Sequence, residues 1–157
     1  MNYVGVSIRG NDVNLAVLER GSGDVGFGLA IGEYSRQSFP GDPGDPANLL
    51  ELSQRIRQDL RDWQTGAVVL LETTKYANWT YSHAHVRVLC IAALMLAAAE
   101  ESIPYEVPKP AAIAAHVLSP KLDALEWSVF GFDKPPKYWT TGARDAYAAA
   151  AFAARDR

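Results

Sequence analysis

Glu72 closes the run "GAVVLLE", a short, continuously apolar segment of the kind that forms a strand buried on both faces. An acid where such a strand runs out stands at the edge of a sheet, where open α/β sheets bind ligands. Just beyond it Lys75, Tyr76, Trp79 and Tyr81 interleave a base with aromatic rings. In that pattern rings stack on nucleobases while the lysine meets phosphate; rings that simply cover the start of the next helix would give the same pattern. A second acid, Asp145, falls in the first turn of a closing helix, "TGARDAYAAAAFAARDR", for which Thr141 is the expected cap. Lys134, Lys137 and Arg144 gather ahead of it with Tyr138 and Trp139. With Lys75 and Lys109 they would line one basic edge, and "FDKPPKYW" reads as an irregular interaction loop stiffened by Pro135 and Pro136.

Other reactive types lead nowhere. His83 and His85 are two apart, so on a helix they point to different faces and do not chelate. Ser7 lies inside a strand, "VSI", which is not a nucleophile elbow. The single Cys90 excludes an intramolecular disulfide, suits a reducing compartment and sits in an apolar run as an inert buried thiol.

The elements that must position these residues follow from patterning. Residues 3–9 and 12–19 read as strands joined at Gly10-Asn11, a dipeptide suited to the positive φ of a tight hairpin. A third antiparallel strand follows from "VGFGLAIGEYS". Asp45 and Pro46 open a helix as cap and first-turn residue. It buries Leu49, Leu52, Ile56, Leu60 and Trp63 and turns Arg55, Arg57, Arg61, Glu51, Asp59 and Asp62 to solvent. After the strand ending at Glu72 comes a long Ala- and Leu-rich helix to about Glu101. "IPYEVPK" gives a fifth strand, "PAAIAAHVL" a small helix ending near His116, and 119–139 an irregular segment before the closing helix. Trp63, Leu70, Leu89, Leu94 and Phe152 are expected in the core.

The result is one α/β domain over residues 1–157. Its 48% apolar and 21% charged residues argue against disorder. The net charge of −3 supplies no overall basic field for nucleic acid and leaves room only for a local one. "VRVLCIAALMLAAAEE" is too short to span a bilayer, and no basic-then-apolar leader opens the chain, so a cytoplasmic location away from membranes is expected.

This order resembles the ribonuclease H-like fold, and its details resemble the RuvC-type Holliday-junction resolvases. "YVGVSIRGNDVNLAVLE" is similar to their first hairpin, "VVLLE" to their fourth strand ending on a catalytic Glu, and "GARDAYAAAAFA" to their terminal Asp-x-x-Asp-Ala-x-Ala helix. "AALMLAAAEESIPYEVPKPAAIAAHVL" resembles their long helix, strand and small Pro-led helix. The start also resembles an uncharacterised bacterial family with a G-V-x-x-(K/R)-G-N-(D/E) opening. The resemblance implies a five-stranded mixed sheet, first three strands antiparallel, flanked by helices.

It further implies two-metal phosphodiester hydrolysis, with carboxylates holding Mg²⁺. Glu72 then stands at the catalytic fourth-strand Glu and Asp145 at the second Asp of the terminal motif. The other two acids are missing: the first-strand position is Ser7 and the first terminal position is Gly142. Ser7 cannot bridge two ions, and Asp12 lies past the turn, several ångströms away at ~3.3 Å rise per residue. The expectation is a nucleic-acid-associated protein with impaired or lost nuclease chemistry and weak or absent Mg²⁺ binding. The alternative is an active Mg²⁺-dependent endonuclease using Glu72, Asp145 and a substitute ligand. Replacing Ser7 and Gly142 by Asp would, on this reading, restore metal affinity. Lys75, Tyr76, Trp79, Lys121, Lys137 and Arg144 are the expected nucleic-acid contacts, with branched or duplex DNA, a protein partner or a second copy of the chain as partners.

Overall fold

The computed structural model describes residues 1–20, 28–72 and 80–155. Strands β1 (Asn2–Arg9) and β2 (Asp12–Arg20) form the expected hairpin, with Gly10 at φ +59° in its turn. They are followed by β3 (Leu29–Ser38), α1 (Pro46–Asp62) and β4 (Thr65–Leu71). Then come α2 (Tyr81–Glu100), the two-residue β5 (Tyr105–Glu106), α3 (Pro110–His116) and α4 (Ala143–Ala153). The irregular segment before α4 holds short 3₁₀ turns at Leu122–Ala124, Trp127–Phe130 and Trp139–Thr141.

The sheet has five strands in the order β3-β2-β1-β4-β5. β1, β2 and β3 pair antiparallel, whereas β4 runs parallel to β1 and β5 parallel to β4. The mixed sheet expected from the sequence is therefore present, with the apolar strand ending before Glu72 internal between β1 and β5.

Strand alternation divides the core in two. Val4, Val6, Ile8, Val68 and Leu70 face α1 and α2, where they meet Leu52, Ile56, Leu60 and Leu94. Tyr3, Val69 and Leu71 face α3 and α4. Leu70, Leu94 and Phe152 are buried as expected, while Trp63 and Leu89 are only partly so. α4 lies directly on the sheet because both surfaces are small. Gly5 meets a run of alanines, and a Cβ on Gly5 would stand 1.8 Å from the Ala146 carbonyl oxygen and 2.2 Å from the Ala150 nitrogen.

The capping of α1 is as expected, with the Asp45 carboxylate accepting from the Ala47 N–H at 2.9 Å. That of α4 is not. The helix starts from Gly142, and Thr141 turns its hydroxyl back to donate to the Tyr138 carbonyl at 3.5 Å. The charged face of α1 is also more engaged than a solvated face. Arg57 and Arg61 both grip Glu101 beyond the end of α2, holding its carboxyl well down, to about 2. Asp59 accepts from Ser35 and Gln37 of β3.

Candidate functional site

Because β1 and β4 run parallel, their C-terminal ends share one sheet edge, and α4 presents its N-terminus there. The geometry at this edge is set by β1. Tyr3, Gly5, Ser7 and Arg9 alternate onto the α4 face, so Ser7 and Arg9 meet the first turn of α4. Ser7 is fully buried, and its hydroxyl donates to the Gly142 carbonyl at 2.6 Å. The two positions where the resemblance implies acids are thus bonded to one another, 135 residues apart in sequence.

The space beside Gly142 is filled from β2. Asn14, buried and paired across from Ser7, donates its amide to the Ser7 carbonyl at 3.3 Å. Its Oδ1 accepts from the Tyr34 hydroxyl at 2.6 Å. Gly142 sits at φ +137°, where L side chains are rare, and a Cβ there would lie 2.3 Å from the Asn14 amide nitrogen. Ser7, Asn14, Tyr34 and Gly142 form a neutral, hydrogen-bonded plug. Burial pushes the Tyr34 phenol up to about 12, against the opposing effect of Arg36, and the neighbouring Tyr147 phenol to about 12 as well.

Asp145 lies in the first turn of α4 and is buried, a position where the helix N-terminus favours a negative charge. One of its oxygens faces Arg9 Nη2 at 3.3 Å and the other Arg144 Nε at 3.4 Å. Arg144, expected as a surface contact for nucleic acid, is itself buried and reaches on to Asp123 at 3.1 Å. Its guanidinium serves carboxylates within the fold, because two acids flank it. From the opposite face, buried Arg87 of α2 donates to the Ile8 carbonyl at 3.1 Å. Asp12, the candidate substitute ligand, is held by Arg36 at 2.7 Å and by the Ser38 hydroxyl at 2.5 Å.

Glu72 stands one residue past β4 and is exposed. Its charge is felt by Tyr105 of β5, whose phenol is pushed up to about 12, first by burial and then by Glu72. Among the described residues no three His, Cys, Asp or Glu side chains gather as a metal-holding group. Lys121, Lys134 and Lys137 are exposed. Lys75, Tyr76 and Trp79 lie outside the described residues.

His83 is absorbed into the cap of α2, its backbone N–H donating to the Thr80 hydroxyl and its Nδ1 accepting from the Thr80 N–H. His116 ends α3 edge-on to Phe152 at 5.7 Å. Cys90 is fully buried, with its thiol pushed up to about 12 chiefly by desolvation. Arg9 and Asn14 are the residues the sequence reading missed. The signal for Arg9 was present in the two-residue period of β1, which puts a base on the same face as Ser7 and one step nearer the sheet edge.

No protein-family model matches the sequence, and no curated protein matches it. Solved structures do match. RuvC of Thermus thermophilus superposes with a TM-score of 0.71 at 18% identity, covering 96% of this chain and 92% of that one. The same protein in complex with a Holliday junction substrate gives 0.70 at 18% identity, covering 96% and 90%. The yeast mitochondrial Holliday junction resolvase Ydc2 gives 0.61 at 12% identity, covering 96% and 75%. The chain therefore has the ribonuclease H-like fold, in the form that the RuvC-type resolvases take.

Proposed function

We propose that this protein is a nucleic-acid-binding module on a RuvC-type scaffold in which two-metal phosphodiester chemistry is impaired. The observation that carries this reading is the state of the acids at the sheet edge. A pair of Mg²⁺ ions requires oxygen ligands in near-octahedral array, with carboxylates shared between the metals. Here the first-strand position offers a neutral hydroxyl that is already donated to the Gly142 carbonyl. Both oxygens of Asp145 face guanidinium groups, which neutralise it as a metal would. This donor set does not fit two hydrated Mg²⁺ ions.

Nucleic acid as the partner is supported by the shared fold with a resolvase seen on a junction and by the exposed Lys121 and Lys137. The Lys75, Tyr76 and Trp79 run following Glu72 supports it from sequence. The test is incubation of the protein with end-labelled four-way junction and duplex DNA, in Mg²⁺ and in chelator, resolved on native and denaturing gels. The expected result is retarded, intact DNA in both conditions. Mg²⁺-dependent cleavage that disappears in Glu72→Gln would instead establish the active endonuclease.

A further inference from the structure

Tyr138 is the outermost ring of an aromatic ladder that runs from the surface into the core. Below it Tyr34 stacks at 6.4 Å, and Tyr147 lies 6.2 Å beyond Tyr34. Trp139 and Phe130, which close the ladder's inner end, are almost fully buried, whereas Tyr138 keeps 36% of its surface exposed. The core is already sealed by those inner rings, so filling it does not account for the outer one. Two cations lie over that outer ring. The Arg36 guanidinium lies 4.1 Å from its centroid and the Lys137 ammonium 4.9 Å. Lys134 is exposed four residues earlier in the chain, and Pro135 and Pro136 stand between the two lysines.

The position relates this cluster to the sheet edge. Ser7 pairs with Asn14 and Asn14 with Arg36, so Arg36 stands two strands across from Ser7, about 10 Å at the usual strand spacing. The ring is also fixed before any ligand arrives. Arg36 is anchored by Asp12 at 2.7 Å, and Tyr34 by its bond to Asn14. A ring held in this way loses little conformational freedom on binding.

We infer that Tyr138 is a stacking point for an unpaired base of a single-stranded nucleic acid, with Lys134 and Lys137 meeting the adjoining phosphates. This rests on the nucleic-acid reading above and adds which form of nucleic acid is held, and where. A base that stacks there takes the place of the exposed Lys137 ammonium over the ring and moves it to a phosphate. An aromatic ring with cations at hand is the arrangement that binds single strands with little sequence preference. A fully paired duplex keeps its bases stacked inside and offers none to this ring.

The experiment is fluorescence anisotropy with a labelled oligothymidylate of about 15 nucleotides, within the span such sites cover, and with a duplex of the same length. Tyr138→Gly suits the left-handed backbone at this position (φ 66°) and removes the ring. Tyr138→Asn, which also tolerates that conformation, serves if the glycine variant melts early. Both variants are expected to weaken single-strand binding roughly five- to tenfold, the low end for loss of one stacked base, and to leave duplex binding unchanged. Tyr138→Phe should bind as the native protein does. Lys137→Gln should reduce the slope of log affinity against log salt by ~0.7. Equal single-strand affinity of native and ring-less proteins overturns the inference, and so does a parallel loss on single strand and duplex. A native protein that binds neither probe overturns the nucleic-acid reading itself.

Discussion

Ser7 and Gly142, the two positions where the resemblance implies acids, are joined by a hydrogen bond in the folded chain. The room an Asp side chain would need at 142 is taken by Asn14. An acid at 142 would therefore have to displace the Asn14 side chain and adopt a positive φ before it could reach a metal. A Cβ at 142 collides with the Asn14 amide, and the backbone there has a positive φ. The residue types were legible in the sequence, since Ser7 and Gly142 could be read against a family pattern. Their hydrogen bond was not, because it joins residues 135 apart whose meeting depends on how α4 docks. Ser7→Ala tests the bond. The Gly142 carbonyl keeps a second donor, the Ala146 N–H at 3.1 Å, so the loss is that of one buried hydrogen bond. A decrease of about 1 kcal/mol in urea-unfolding free energy is expected. An unchanged midpoint would mean the hydroxyl contributes nothing to the packed state.

At the scale of elements, the docking of α4 on β1 decides everything at the site. Hydrophobic periodicity and cap chemistry showed where most strands and helices lie, including the Asp45 cap and the Gly10-Asn11 turn. They failed at the start of α4, where Thr141 has the right chemistry for a cap but is held in a 3₁₀ turn with its hydroxyl turned back. They also left the face of α1 as solvated, because Glu101, the partner of Arg57 and Arg61, lies 40 or more residues away. The closeness of α4 to the sheet rests on Gly5. Gly5→Ala would put a methyl group into the helix backbone itself, which cannot rotate aside as a side chain can. A loss of about 3 kcal/mol or more is expected, at the upper end for overpacking, measured by chemical denaturation. A loss of a few tenths would show that α4 can lift from β1 at little cost, and the contacts of Asp145 would then be loosely set.

For the whole molecule, the fold was legible because it rests on local patterns repeated along the chain, whereas the charge pairing at the site was not. Asp145 takes one partner from β1 and one from its own helix, and only the folded sheet brings Arg9 to it. Burial of phenols leaves a further global signature. Tyr34, Tyr105 and Tyr147 are each raised from 10.0 to about 12, largely by desolvation. Between those values the unfolded chain has released protons that the folded one retains. Stability from this source is full below about pH 10 and is lost as pH rises through about 12. The urea midpoint should fall over that window, with phenolate absorbance appearing late in the folded protein. A midpoint flat to the top of the window would show these hydroxyls to be solvated. The central claim, that arginines hold the acid a resolvase-type site would give to metal, is tested most directly by calorimetric titration of Mn²⁺ into the native protein. The account predicts no binding tighter than the millimolar range, and the same trace for native protein and Glu72→Gln. Binding in the micromolar range that Glu72→Gln abolishes would contradict it.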